Sequence, residues 1–194
     1  MLKTICLILF SFTVFSCIER DFEEIRGIPK VSDETSYNLI DRSTLSYHFG
    51  HQKSHNSKPT KVPKDVTFLL LDSRYMNVDY FFFLKFNNWF KKMIFENGIM
   101  PISQNETLDC DNFALLYKSL FSIAGYASGN SCEFAVGLVV VQQKEPFGGI
   151  PEGNLHMLNI IFCNKDFYIY EPQTNKFIEL DKYPNQEHIL HIIM

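Results

Sequence analysis

The chain has 194 residues, enough for one domain with a substantial core and too few for two ordinary ones once targeting and tether segments are set aside. Hydrophobic residues make up 46% and charged residues 21%, with 19 Phe, which excludes a disordered, collagen-like or coiled-coil chain. Lys plus Arg total 18 against 22 Asp plus Glu, for a net charge of -4, and no basic run is long enough to follow a phosphate backbone, so a nucleic-acid partner is excluded.

Met1-Leu2-Lys3 is a short basic start, followed by an uncharged apolar run from Ile5 to Phe15. As a helix that run rises only about 16 Å, well short of a ~30 Å hydrocarbon core, so it reads as a signal peptide and not as a span. Val14-Phe15-Ser16-Cys17 resembles the bacterial lipobox, in which the chain is cut before the cysteine and that cysteine carries the lipid. Residues 1–16 are therefore expected to be a lipoprotein signal peptide and Cys17 the lipid attachment. The protein is then expected in the bacterial cell envelope, held to a membrane through Cys17. The alternative is an ordinary secretory signal with an incidental Cys17; both readings export the protein. Removal of Cys6 and lipidation of Cys17 leave Cys110, Cys132 and Cys163, an odd set, so at least one thiol stays unpaired in a monomer.

Residues 17–65 are polar and punctuated and read as a lipid-anchored tether, with room for a short docked helix near residues 34–46. His48, His51 and His55 fall in this stretch at helical spacing, a pattern that can bind zinc. Gly50, Ser54 and Pro59 make a helix poor there and favour a solvated linker. The composition shifts at Val66, so residues 66–194 are expected to form the domain. Phe68 to Leu71 is a short apolar run. The segment from about Val78 to Glu96 then carries Phe82, Phe86, Trp89, Phe90 and Met93 near helical spacing, with Asn97-Gly98 as a stop. A second helix begins at Cys110, capped by Thr107 or Asp109, and is expected to end at Gly125. Strands are expected at 134–142, 155–163, 167–171, 177–180 and 189–193, and helices followed by a strand meander read as an α+β domain.

Cys110 is at a helix start, where unpaired N–H groups and the helix dipole favour a thiolate, while Asp109 and Asp111 oppose it electrostatically. His156 alone among the six histidines opens an apolar strand after a glycine-rich loop. A hairpin turning through Phe162-Cys163-Asn164-Lys165 would set Glu171 directly opposite His156; a two-residue slip would leave it a diagonal neighbour. The loop from Gln143 to Asn154 precedes His156 and is expected to be a mobile wall over the cleft. Taken singly, Cys110 can be a packed hydrophobe, His156 a satisfied strand histidine and Glu171 a surface carboxylate. Their order favours a nucleophile, a base and an orienting acid.

Asp109-Cys110-Asp111-Asn112-Phe113-Ala114, then His156 with Asn159-Ile160, then Tyr170-Glu171-Pro172-Gln173-Thr174, resembles the papain-like protease domain of the fungal agglutinin family and its bacterial and phage relatives. The resemblance spans roughly residues 66–182. It implies a papain-like (transglutaminase-like) domain with N-terminal helices packed on an antiparallel β-sheet, and a Cys-His-Glu triad of Cys110, His156 and Glu171. Gln104, six residues before the cysteine, matches the spacing of the oxyanion glutamine of papain-like enzymes and is equally well a loop residue. Asp109, Asp111 and Asn112 are expected to support the helix start, and Gln173 to line the site. The triad requires no cofactor, and the resemblance brings calcium with no ligands assigned. Three function classes stand: a cysteine peptidase acting on peptide or protein, an NlpC-like enzyme acting on peptidoglycan, and a non-catalytic surface-binding lipoprotein.

Overall fold

The computed structural model describes residues 27–31, 39–50, 61–99 and 109–194. In chain order these form β1 (Leu39–Asp41), α1 (Arg42–Gly50), β2 (Thr67–Leu69), β3 (Arg74–Met76), α2 (Tyr80–Glu96) and α3 (Cys110–Ala127). They continue with β4 (Val136–Gln142), β5 (Leu155–Cys163), β6 (Asp166–Glu171), β7 (Lys176–Glu179) and β8 (Ile189–Ile193). No helix among the described residues is long and apolar enough to cross a membrane.

Local chemistry sets the limits of the two long helices. Asp79 caps α2 by accepting from the Phe82 N–H at 2.9 Å, and Asn97 with Gly98 at φ +67° closes it. In α3 the expected stop at Gly125 does not occur, and the chain turns off at Gly129 with φ +76°. Gly125 lies inside the helix because a Cβ there would come within 3.2 Å of the Phe134 ring, so its smallness serves packing.

The main sheet has six strands in the order β2-β8-β4-β5-β6-β7, and β1 pairs with β3 in a separate ribbon. β2 runs parallel to β8, whereas the remaining pairs of the main sheet are antiparallel. One apolar cluster joins α2 and α3 to the sheet through Phe83, Phe86, Phe90, Phe113, Tyr117 and Tyr170. A second cluster gathers Ile40, Leu45 and Phe49 with Val139, Val141, Leu158 and Ile160. Strand parity puts Val136 and Val139 on opposite faces, so both faces of the sheet are covered.

These observations correct the expected architecture of N-terminal helices on an antiparallel sheet. Three short strands precede the two long helices, and the sheet is mixed. Its second face is covered by residues expected in the tether: α1 lies within 39–50, and its Leu45 and Phe49 are buried in the body. Isolated apolar residues in a polar stretch give no periodic signal, which is why the domain begins earlier than the composition shift at Val66. The signal segment 1–16, Cys17, Gln104, His51 and His55 lie outside the described residues. His48 lies in α1 with its ring 5.4 Å from that of Phe162, a packing position.

Candidate active site

Cys110 is the first residue of α3, half-buried, with its backbone N–H at the end of the helix where no intrahelical acceptor exists. The helix start is fixed by a capping box. The Asp109 carboxylate accepts from the Asn112 N–H, and the Asp109 N–H donates to Asn112 Oδ1 at 3.3 Å. Asp111, in the same first turn, lies against the Asp109 carboxyl. That contact, then burial, then the charge of Asp111, holds Asp109 above the usual carboxylate range. Asp109 and Asp111 therefore face one another across the start of the helix, and Asn112 serves the cap.

His156 stands near the start of β5 and is 4% exposed; Glu171 ends β6 and is fully buried. Their register differs from the expected one. Asn164 and Lys165 both have positive φ, 49° and 74°, so the hairpin turns on those two residues alone and Cys163 pairs with Asp166. The shift is two residues, which preserves face parity and leaves Glu171 diagonal to His156. The side chains meet across that diagonal, His156 Nε2 to Glu171 Oε2 at 2.5 Å. The other carboxylate oxygen accepts from the Gln173 N–H at 2.9 Å, so Gln173 serves the site through its backbone.

Cys110 is the second neighbour of the His156 ring, near enough to raise its pKa. With Nε2 taken by Glu171, Nδ1 is the nitrogen left for the thiol. Burial alone would lower the imidazole pKa, but interaction with the Cys110 thiol and the hydrogen bond to Glu171, with the charges behind them, raise it to about 9. The structure thus brings Cys110 and Glu171 to the same buried imidazole, with the carboxylate hydrogen-bonded to it.

Other residues support the site in ways the sequence did not assign. Asn159 is fully buried on β5, and its amide donates to Ala114 O at 2.9 Å and Gly137 O at 3.2 Å. It ties the helix carrying Cys110 to the strand carrying His156. The glycine-rich loop is pinned: Gln143 Nε2 donates to Ile150 O and Pro151 O, and Asn185 Oδ1 accepts from the Lys144 and Glu145 N–H groups. These anchors contrast with the expected mobile wall. Gly148, at φ +63°, packs onto the acid, and a Cβ there would come within 3.0 Å of Glu171 Cγ and Thr174 Oγ1. A polar residue three positions after the histidine and a glycine pair before it were the only sequence signals.

Of the other thiols, Cys163 is buried. Its pKa is pushed up to about 12, first by burial and then by Asp79 and Asp166, while Cys132 is half-buried with its sulfur 3.9 Å from Ser131 Oγ. Among the described residues no group of three His, Cys, Asp or Glu side chains is placed to hold a metal ion.

No protein-family model matches the chain, and no curated protein matches it. Among solved structures it is similar to the PSL1a chain of the "PSL1a-E64 complex", with TM-score 0.54 and 14% identity over 85% of this chain. A second similarity is to the Polyporus squamosus lectin bound to the human-type influenza-binding epitope Neu5Aca2-6Galb1-4GlcNAc. That match has TM-score 0.46 and 15% identity over 69% of this chain. The chain spans 55% of the length of the first and 44% of the second. The expectation of a papain-like (transglutaminase-like) fold is accordingly corrected: the architecture shared with a known structure is that of the PSL1a chain.

Proposed function

We propose that this chain is an exported cysteine hydrolase, anchored in the bacterial cell envelope through a lipid on Cys17, that cleaves acyl bonds through a thioester on Cys110. One observation carries the reading: buried His156 hydrogen-bonds Glu171 and has Cys110 near enough to shift its ionisation. A buried imidazole bridging a thiol at a helix start and a carboxylate is the arrangement of an activated nucleophile, its base and the base's orienting group. The resemblance to the protease domain of the fungal agglutinin family, carried by the segments around Cys110, His156 and Glu171, supports the same roles.

The steps follow from the geometry. His156 takes the Cys110 proton, and the sulfur attacks the substrate carbonyl carbon, forming the C–S bond while the carbonyl oxygen gains charge near the N-terminal end of the helix dipole. His156 gives the proton to the departing amine as the C–N bond breaks. Water then attacks the thioester, with His156 again as base, releasing acid and restoring the thiol. Glu171 fixes the ring orientation throughout, and Gln104 is the proposed second oxyanion donor. Peptide or protein is the proposed substrate, with peptidoglycan as the competing one. The steps use the chain's own side chains, and calcium enters only through the family resemblance.

The PSL1a chain is in complex with E64, and the same compound can be offered to this chain. Incubation of the full chain with E64 followed by peptide mapping should give one adduct, on Cys110. Digestion of unstructured peptides should accompany it and stop in Cys110→Ala. An unlabelled Cys110 with no peptide or muropeptide cleavage would remove the enzymatic reading.

A further inference from the structure

The outer face of α2 departs from an ordinary solvated helix. Phe81, Lys85, Asn88, Lys92 and Phe95 follow the four-three step that keeps residues on one side, and all are exposed, Phe81 by 79% and Phe95 by 82%. The two rings lie about 21 Å apart along the axis, with lysines between them and Lys91 beside them. Glu96 pairs with Lys92 at 3.5 Å, both side chains remaining exposed, and Asp79 is turned to the helix cap. A chain of net charge -4 therefore presents a basic face with an aromatic ring at each end.

The same helix receives the N-terminal segment. Ile28 and Val31 pack into the cluster that contains Trp89. The Val31 N–H donates to Ser128 Oγ at 2.9 Å, and Gly27 sits 3.8 Å from the Trp89 indole nitrogen, measured from a built Cβ. Only residues 18–26 then separate Cys17 from the docked segment, a reach of at most roughly 35 Å. The expected long tether is a short leash that ends on α2.

We infer that α2 rests on an anionic phospholipid bilayer, with Phe81 and Phe95 entering the interface and Lys85, Lys91 and Lys92 facing the lipid phosphates. Charge complementarity and leash length both select a lipid surface as the occupant. The inference rests on the proposed lipid at Cys17 and is independent of the triad.

Trp89 is the sole tryptophan, half-buried on α2, and reports the docking directly. The lipidated full chain is inserted into phosphatidylcholine–phosphatidylglycerol vesicles with and without nitroxide-headgroup lipid, and Trp89 emission is compared. Docking predicts marked quenching, weaker in pure phosphatidylcholine and in high salt. Most of it should be lost in the variant F81S/K85E/K92E/F95S, which changes exposed positions only and should keep its lipid by mass and its thermal unfolding. Absent quenching, or equal quenching in wild type and variant, with the lipid present overturns the docking and leaves the anchor intact. A Cys17 without lipid overturns the anchoring reading and the docking with it.

Discussion

His156 lies between two groups that both favour its protonated form, so its ionisation is linked to folding. An ordinary histidine titrates near 6.5, whereas this one is raised to about 9. The stabilisation is therefore fully present below about pH 6.5 and is lost as pH rises through 9. The shift corresponds to about 3 kcal/mol at 1.36 kcal/mol per unit. Urea unfolding at pH 6.5 and 9.5 should show a drop of that order, clearly smaller in Glu171→Gln, which removes the partner charge without changing shape. An equal drop in both would mean that other groups carry the pH dependence. Cys163 provides an internal contrast: buried and held near 12, it should resist alkylation in the folded protein until denaturant is added. At this scale the sequence was informative because residue types limit the chemistry. One histidine opened an apolar strand, and parity made Glu171 its neighbour even though the direct pairing was wrong.

Elements bring the three residues together, and the contacts between elements are where sequence reading fell short. The periodic aromatic stripe of α2 and the cap of α3 were legible, and so were the boundaries of β4 to β8 within about two residues. The hairpin register was not, since two positive-φ residues tightened the turn, and neither Asn164 nor Lys165 is glycine. Asn159 was visible as a polar residue in an apolar strand, but its partners Ala114 and Gly137 come from two other elements. Asn159→Ala should cost about 1–3 kcal/mol in chemical denaturation, from two abandoned carbonyls, and should slow the reaction of Cys110 with alkylating agents. Unchanged reactivity would show that helix and strand are held in register by packing alone. Gly148→Ala adds a methyl group at positive φ against Glu171 and should destabilise by about 1–3 kcal/mol. Loss of the pH-dependent stability described above should accompany it, because the displaced carboxylate no longer meets His156.

For the whole molecule, the second face of the sheet is closed by a stretch whose composition resembles a linker. Leu45 is fully buried in α1, so Leu45→Ala should cost about 2–5 kcal/mol and lower the melting temperature accordingly. A tether residue would cost nothing, and calorimetry separates the two. The parallel pairing of β2 with β8 joins residues 67–69 to 191–193, a contact too distant in sequence for local patterns to reveal. The first of these exchanges an apparent tether for a structural layer and brings the body of the protein close to its proposed anchor. The central claim is that this whole scaffold exists to hold Cys110 against His156 and Glu171. It is tested most directly by following iodoacetamide alkylation of each cysteine by mass spectrometry from pH 4 to 9, in wild type, His156→Ala and Glu171→Gln. Fast reaction of Cys110 at pH 6, well ahead of Cys132 and Cys163 and slowed at least tenfold in both variants, is the predicted result. A Cys110 rate that matches Cys132 at every pH and ignores both substitutions would contradict it.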